Sequence, residues 1–409
     1  MGVCATDDEQ NRRALPFNEI DSPNYYKQNS ENIKYFNGID ISFNSKKTII
    51  KTIGQIKGNS ILINENTNCI IFIMDYSYLI NIRKCQNCSI FLAPCETSVQ
   101  VIDCNNLNLI STSLNLKISN VKESNFYSFV SHSPIIEQSE NIYLGNFFVQ
   151  YMELPEMFFY SKLNIWNNKW SDYKEIGNNI NIKYSNDDIR KNVIDKFMPI
   201  FPKCYINIDQ FQFVPFTYGK SIKTENFINF LIILRQEDLQ ESEILKMLIP
   251  EEIEIYGVKL ISTLIVNDKS NIIQDVIKKL EENEGENEDN GILINYLMRK
   301  NNEGIQSLRS SQRGTLRNNP SINSFNKNRL NEFDVSTNEY FENNNYKFLQ
   351  RGDFLFLWFV SEVNDFGEID GYFNSFLEPL IICKIMKEQF NYNDDIFIKF
   401  LEKIFGFQK

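Results

Sequence analysis

A pattern that recurs every nineteen residues constrains the fold of this chain more than any other feature. An asparagine followed by an apolar residue opens four successive segments in which apolar side chains alternate with other side chains. The four pairs are Asn68-Cys69, Asn87-Cys88, Asn106-Leu107 and Asn125-Phe126. Alternation with a period of two is typical of β-strands, and strands repeated at a fixed long spacing indicate a solenoid of stacked coils. Residues 34–180 are therefore predicted to form a right-handed parallel β-helix with a three-sided coil.

A second series of strands has the same period. Its positions Ile80, Ile82 and Cys85 recur as Val99, Val101 and Cys104. One coil cannot bury its apolar side chains alone, so stacked coils are expected to share a single core. The repeated asparagines are expected to form a ladder at a turn, with each amide bonded to the next coil. A β-sandwich is the alternative, but it predicts turn signals about every 8–12 residues and no fixed long period.

Charge and cysteine spacing restrict the partners and cofactors. The net charge is −11, which argues against nucleic-acid binding because phosphate contacts require clustered lysine and arginine. Cys85 and Cys88 have the C-x-x-C spacing of zinc and redox sites, but no second pair or nearby histidine completes a zinc site. We interpret both as buried, reduced thiols of successive β segments, and we predict no metal and no cofactor.

Three blocks of residues, in unbroken order over about 120 residues, resemble a known domain. They are Phe91-Leu92-Ala93-Pro94 with Ser98-Val99 and Asp103-Cys104; Pro134-Ile135-Ile136-Glu137 with Asn141-Ile142 and Gly145; and Asn164-Ile165-Trp166-Asn167-Asn168-Lys169-Trp170-Ser171. Their order is similar to that of the tubulin-binding-cofactor-C (TBCC, or C-CAP) domain family. The nearest branch is the one that includes the retinitis pigmentosa 2 protein.

This resemblance implies a protein that binds GTP-binding proteins. In the retinitis pigmentosa 2 branch the partner is an ARF-like small GTPase, which releases lipidated cargo into cilia, and in cofactor C the partner is tubulin. The family activates its partner with an arginine finger in a Gln-x-Arg motif, and such a finger is worth about 10³–10⁵ in rate. The expected function is that of a membrane-anchored partner of an ARF-like GTPase in trafficking of lipidated proteins. A tubulin-folding factor and a non-catalytic scaffold are the alternatives.

The finger motif is altered in this chain. It aligns with Asn115-Leu116-Lys117, and the second arginine of the nearest branch aligns with Ser119. Lysine keeps the positive charge but presents a point charge instead of a planar fork. Lys117 and Asn115 are thus the candidate catalytic residues, and partner binding is expected to survive better than activation. Alternatively, Lys117 is an ordinary solvated side chain.

The same resemblance implies two partner-binding residues. Glu137 and Trp166 align with positions at which the nearest branch contacts its GTPase. For Trp166 a second interpretation remains open, in which the indole fills a joint between the last coil and a helix.

The first residues, Met1-Gly2-Val3-Cys4-Ala5-Thr6, fit the N-myristoylation pattern, with Gly2 as the acceptor. One myristoyl chain binds membranes only marginally, and palmitoylation of Cys4 would provide the second signal. Residues 1–33 are therefore predicted to be an acylated flexible tail that holds the protein on the cytoplasmic face of the plasma membrane. The resemblance adds the ciliary base as a location. An unmodified flexible start is the alternative.

We expect Gly2→Ala to release the protein from membranes and Cys4→Ser to leave only weak, reversible attachment, because stable anchoring takes two lipid signals. Fractionation of cells into membrane and soluble fractions measures both effects. Ala5→Ser, which preserves the acceptor and the acylation pattern, is the matched control. An unchanged membrane fraction for Gly2→Ala would remove the anchor hypothesis.

After a predicted linker at 181–212, the pattern changes to α+β. Strands are predicted at 227–234, 258–266 and 354–360, and helices at 239–248, 268–283, 371–388 and 394–405. By position, 213–280 and 346–409 resemble a ferredoxin-like, nucleoside-diphosphate-kinase-like domain, interrupted by a polar insertion at 281–345 that we predict to be disordered. Such kinases work through a phosphorylated histidine. Since the one histidine, His132, lies in the repeat region, no kinase activity is expected.

Overall fold

A computed structural model describes residues 38–151, 153–177, 181–197, 213–223, 228–235, 241–255, 257–267, 353–361 and 381–385. The predicted acylation sites Gly2 and Cys4, the predicted insertion at 281–345 and the predicted helices at 268–283 and 394–405 lie outside these residues. No helix of the described residues is long and apolar enough to cross a membrane.

Twelve strands stack into a parallel β-helix. They are β1 (Ile39–Ser42), β2 (Thr48–Lys51), β3 (Ile61–Asn64), β4 (Ile70–Ile73), β5 (Ser77–Arg83), β6 (Ser89–Ile102), β7 (Asn108–Ser119), β8 (Lys122–Val130), β9 (Ile135–Glu137), β10 (Glu140–Asn146), β11 (Lys174–Ile176) and β12 (Ile182–Tyr184). Their pairings are all parallel and join successive coils. The predicted parallel β-helix is confirmed.

Each coil has two long sides and one short side. We name the long sides sheet A and sheet B. Sheet A contains β1, β3, β5, the second halves of β6 and β7, β9 and β11. Sheet B contains β2, β4, the first halves of β6 and β7, β8, β10 and β12. The short side is a column of single-residue bridges at Ser45, Thr67, Gln86, Asn105 and Lys122.

The nineteen-residue register holds for the early coils and then shortens. Cys69 and Cys88 lie on neighbouring coils as predicted, since the amide of Ser89 donates to the carbonyl of Cys69 at 2.9 Å. The assignment of Asn125 to the position of Asn106 was wrong. Asn125 pairs with Asn108, seventeen residues earlier. The buried side chains of successive strands stay aligned although the turn between the strands is shorter. Only the buried side chains must align from coil to coil, because only they share the core.

The repeated asparagines have a conformational role as well as a bonding role. Asn68, Asn87 and Asn106 have φ of 55°, 54° and 52°, in the left-handed region that asparagine tolerates better than most residues. The side-chain amide of Asn106 donates to the side-chain oxygen of Asn87 at 2.8 Å. The predicted ladder therefore exists at this turn, and the left-handed backbone explains why asparagine recurs there.

The interior of the coil is apolar and includes five free thiols. Cys69, Cys85, Cys88, Cys95 and Cys104 are all buried. A side-chain hydrogen bond with Cys104, together with burial, raises the pKa of Cys85 to about 12. Cys85 therefore stays a neutral thiol near neutral pH, which is the packing role that the sequence indicated.

The outward side of sheet B is also buried. Two helices, α1 (Leu154–Ser161) and α2 (Asp187–Phe197), contribute rings to this side of the molecule. Phe72 lies edge-on to Phe197, with ring centroids 5.4 Å apart, and tilted against Phe91 at 5.7 Å. The continuous apolar runs in β4 and β6 now have a physical reason, since strands covered on both sides need no polar alternation.

Gly145 lies where the ring of Tyr127 on the preceding coil approaches the backbone. A Cβ atom at Gly145 would lie 2.6 Å from two ring carbons. We expect Gly145→Ala to lower the free energy of unfolding by about 1–3 kcal/mol, as overpacking in cores does. Urea denaturation measures the change. The same substitution in a Tyr127→Ala background should cost less, and an equal cost in both backgrounds would contradict the steric explanation.

The C-terminal part forms a second, antiparallel sheet. Its elements are β13 (Ile228–Arg235), α3 (Glu241–Met247), α4 (Pro250–Glu254), β14 (Val258–Asn267), β15 (Asp353–Ser361) and β16 (Ile381–Ile385), with a 3₁₀ turn at Gly219–Ser221 before them. The strand order is β14-β15-β13-β16, and the pairings are antiparallel. This order, with helices between β13 and β14, is the one expected of a ferredoxin-like sheet. The kinase-like assignment stays a prediction.

The strands predicted near 227–234, 258–266 and 354–360 and the helix near 239–248 are confirmed. The prediction of a helix over 371–388 was wrong at Ile381–Ile385, because these residues form β16, a strand that pairs with β13. Its sequence Ile381-Ile382-Cys383-Lys384-Ile385 is rich in β-branched residues that favour strands, and an edge of β13 is available to pair with it.

Candidate partner-binding face

The outward side of sheet A is the candidate site, because its side chains are mostly polar and partly exposed whereas the outward side of sheet B is covered. Leu116 and Ile118 point into the core, with exposures of 2% and 0%. Strand alternation then directs Asn115, Lys117 and Ser119 outward. Both candidate catalytic residues therefore belong to one outward face.

Lys117 and Glu137 come together on this face. The ammonium nitrogen of Lys117 lies 3.7 Å from Oε2 of Glu137, with the side chains 17% and 31% exposed. The Ser119 hydroxyl donates to the same carboxylate oxygen at 3.3 Å. The Glu137 carboxylate is about a third exposed, so a partner can reach this pair from the solvent.

Asn115 is held by the protein at both ends of its amide. Its Nδ2 donates to the carbonyl of Thr97 at 3.0 Å, and its Oδ1 lies 2.9 Å from Nδ1 of His132. Since the oxygen faces the imidazole, Nδ1 of His132 carries the hydrogen. Asn115 therefore braces three successive coils, and its amide is not directed at a partner. His132 thus has a structural role, since it joins its coil to that of Asn115.

Trp166 lies in a joint and not at the surface. It is fully buried, and its indole Nε1 donates to Oε2 of Glu241 on α3 at 3.0 Å. The Thr263 hydroxyl on β14 donates to the Trp166 carbonyl at 2.6 Å. The structure thus separates Trp166 from Lys117 and Glu137 and agrees with the second interpretation, in which the indole fills a joint behind the last coil. In this conformation it offers no surface to a partner.

Two further residues of this face were missed from sequence. Arg83 follows the inward Ile82 at the end of β5, and Gln100 lies between the inward Val99 and Val101. Gln100 is directly in register with Lys117. The alternation of β5 and β6 already showed that both side chains point outward. What the sequence lacked was the register, which pairs Gln100 with Lys117 and Arg83 with Ile102 on the coil of Gln100.

Comparison with known proteins agrees with the fold. The family model described as Tubulin binding cofactor C matches residues 58–176, from the residues before β3 to the end of β11. These residues are therefore similar to a TBCC domain. The match leaves out the antiparallel sheet, so the similarity concerns the β-helix.

Two curated proteins are similar to part of this chain. TBCC domain-containing protein 1 of Xenopus tropicalis is 23% identical over 127 residues, which cover 31% of this chain and 23% of the relative. Tubulin-specific chaperone C of Homo sapiens is 24% identical over 122 residues, which cover 30% of this chain and 35% of the relative. The chain therefore spans about a quarter to a third of the curated relatives that it matches.

Proposed function

We propose that this protein is a cofactor C-like factor that binds tubulin through the outward side of sheet A. The observation that carries the proposal is the Lys117–Glu137 ion pair on the partly exposed outward side of sheet A. The resemblance aligns Lys117 with the family's finger motif. The similarity to tubulin-specific chaperone C supports tubulin as the partner. The site thus holds a cation, Lys117, that lies against the Glu137 carboxylate.

The chemistry of this face suits a partner that carries a nucleotide. During GTP hydrolysis negative charge spreads over the oxygens of the transferring phosphoryl group. The Lys117 ammonium supplies a compensating charge, but without the two parallel hydrogen bonds of a guanidinium. Asn115 is bonded within the protein and adds nothing at the nucleotide. Binding with weak stimulation of hydrolysis is the expected behaviour.

An ARF-like small GTPase at a membrane is the second candidate partner. The acylation pattern at Gly2 and Cys4 favours it, because a lipid anchor suits a partner that works on membranes. This candidate uses the same face of sheet A, so both partners predict the same effect of changes at Lys117 and Glu137. With an ARF-like GTPase as the partner, the protein would act on membranes, in the trafficking of lipidated proteins.

A binding experiment with charge reversal separates the candidates. The full chain is immobilised and tested against purified tubulin and against ARF-like proteins, each loaded with GTP or GDP. Glu137→Lys should abolish binding to the true partner. Glu140→Lys is the matched control, because Glu140 pairs with Lys122 away from this face, at 3.5 Å. Binding to ARF-like proteins alone would select the second candidate, and binding to neither would refute both.

A further inference from the structure

The end of the β-helix that is formed by its first coil, residues 38–60, is positively charged. These residues include four lysines and one aspartate, whereas the whole chain has a net charge of −11. Lys46, Lys47 and Lys57 are exposed, and Lys51 is half-buried. In the part of the chain that the structure describes, no carboxylate forms an ion pair with any of the four. We name this end of the molecule the first-coil face.

Two of the lysines occupy positions that belong to the core in the next coil. Lys51 is in register with Ile73, and Lys47 lies opposite Cys69, one residue before the paired residues of β2 and β4. Ile73 and Cys69 are both buried. Among the described strands β1 pairs only with β3 and β2 only with β4, so no further described coil lies beyond the first. Lysine suits this end position, because its aliphatic stem can lie over apolar atoms while its ammonium group stays in water.

Phe43 adds an exposed aromatic ring to the first-coil face. It is 73% exposed, and its φ of 58° is unusual for a bulky residue. The same corner recurs on the following coils, where the amide of the corner residue again donates to the end of a strand in the next coil. The turn accepts a polar side chain with left-handed φ on all of those coils. These residues are Glu65, Lys84, Asp103, Asn120 and Gln138. The turn therefore gives no reason for a phenylalanine, whereas contact with an apolar partner does.

Lysines around an exposed aromatic ring match the surface of an anionic membrane. Lipid headgroups present negative charge in a plane, and the layer beneath them accepts an aromatic ring. Ile50, which is 46% exposed, adds apolar area on the same coil. Acidic groups farther away than a Debye length, about 8 Å at physiological ionic strength, are largely screened. The chain also enters β1 from residues 1–37, which include the acylation pattern at Gly2 and Cys4.

We propose that the first-coil face docks on an anionic membrane, with Phe43 among the lipid headgroups and the four lysines against their negative groups. The β-helix then stands end-on on the membrane, and the outward side of sheet A stays open to a protein partner. This surface goes beyond the proposed function. It does not depend on acylation either, because its residues all lie in the described first coil.

Cosedimentation of the full chain with vesicles, with the chain made without acyl groups, tests the proposal. Wild type should bind vesicles of equal parts phosphatidylcholine and phosphatidylserine and should not bind vesicles of phosphatidylcholine alone. Lys46→Asn combined with Lys47→Gln should lower binding about tenfold or more, because each lysine near an anionic surface contributes roughly fivefold. Lys84→Gln combined with Lys122→Gln is the matched control. It removes the same charge from later coils, where both lysines are exposed, and should leave binding nearly unchanged.

Phe43→Asn tests the aromatic contact separately. Asparagine has the same left-handed φ at the equivalent corner residue Asn120, so the variant should fold normally and show unchanged urea denaturation. It should lower binding to the mixed vesicles about tenfold, because the ring leaves water when the face docks.

Three results would overturn the proposal: no binding of wild type to the mixed vesicles, an equal loss in the two double variants, or unchanged binding by Phe43→Asn. Binding of a polyglutamate peptide but not of the vesicles would assign the face to an acidic protein instead. A dimer that Phe43→Asn dissociates, without vesicle binding, would assign it to a second copy of this chain. Each of these outcomes excludes membrane docking and leaves the tubulin experiment at Glu137 unaffected.

Discussion

Replacing Lys117 by arginine is expected to raise stimulated GTP hydrolysis at least about tenfold while partner affinity stays nearly constant, because a transition-state contact does little for the ground state. The position already points outward between the buried Leu116 and Ile118. A guanidinium there gains the bidentate geometry that the ammonium lacks. Lys117→Ala should lower any residual stimulation and barely change affinity.

Single-turnover hydrolysis at saturating concentration of each variant measures the effect. Lys122→Arg is the matched control, since it is the same replacement on the short side of the coil, where Lys122 pairs with Glu140. Asn115→Gln should add no further gain, because the amide is already bonded to Thr97 and His132. The role of Lys117 is refuted if wild type matches an arginine-finger activator and Lys117→Ala has no effect.

Trp166→Ala is expected to lower the free energy of unfolding by about 3–5 kcal/mol, the range for removing a buried Trp from a core. Trp166 is fully buried and bonds to Glu241 and Thr263, which lie far along the chain. The substitution therefore creates a cavity in the joint between the β-helix and the antiparallel sheet. It also removes the indole donor from a carboxylate that is itself buried.

Urea denaturation of the full chain measures this loss. Trp166→Phe keeps much of the ring volume but removes the N–H donor, so it should cost about 1–3 kcal/mol. The two variants together separate packing from hydrogen bonding. If Trp166→Ala left stability unchanged but abolished partner binding, Trp166 would be a contact residue and its assignment to the joint would be wrong.

The outward side chains of sheet A and sheet B differ in exposure and in chemistry. Sheet B has aromatic side chains on its outward side, and they belong to one apolar cluster with residues of α1, α2 and the C-terminal sheet, so they stabilise the fold. Sheet A has Arg83, Lys117 and Glu137 on its outward side and keeps them partly exposed. The difference is visible in the sequence, since β4 is apolar throughout whereas the second half of β7 alternates.

The sequence by itself determined the parallel β-helix, because inward rows of stacked coils must be apolar at a fixed spacing. It also determined that Lys117 points outward, because Lys117 lies in a strand between two apolar residues, Leu116 and Ile118, and side chains alternate along a strand. The structure shows both apolar residues buried. Asparagine at the turns indicated a side-chain ladder, which the hydrogen bond from Asn106 to Asn87 shows; the left-handed φ of both residues was not predicted.

Only the tertiary structure decided the neighbours across coils. The sequence shows the shift from nineteen to seventeen residues in the second strand series, where Leu116 and Ile118 recur two residues early, but the pairing of Asn125 with Asn108 was decided by the fold. The bond between Asn115 and His132 depends on that register. Trp166 is an aromatic residue outside regular structure, and the sequence around it suits a surface as well as a joint. Its burial was decided by Glu241 and Thr263, 75 and 97 residues away, which only the folded chain brings to it.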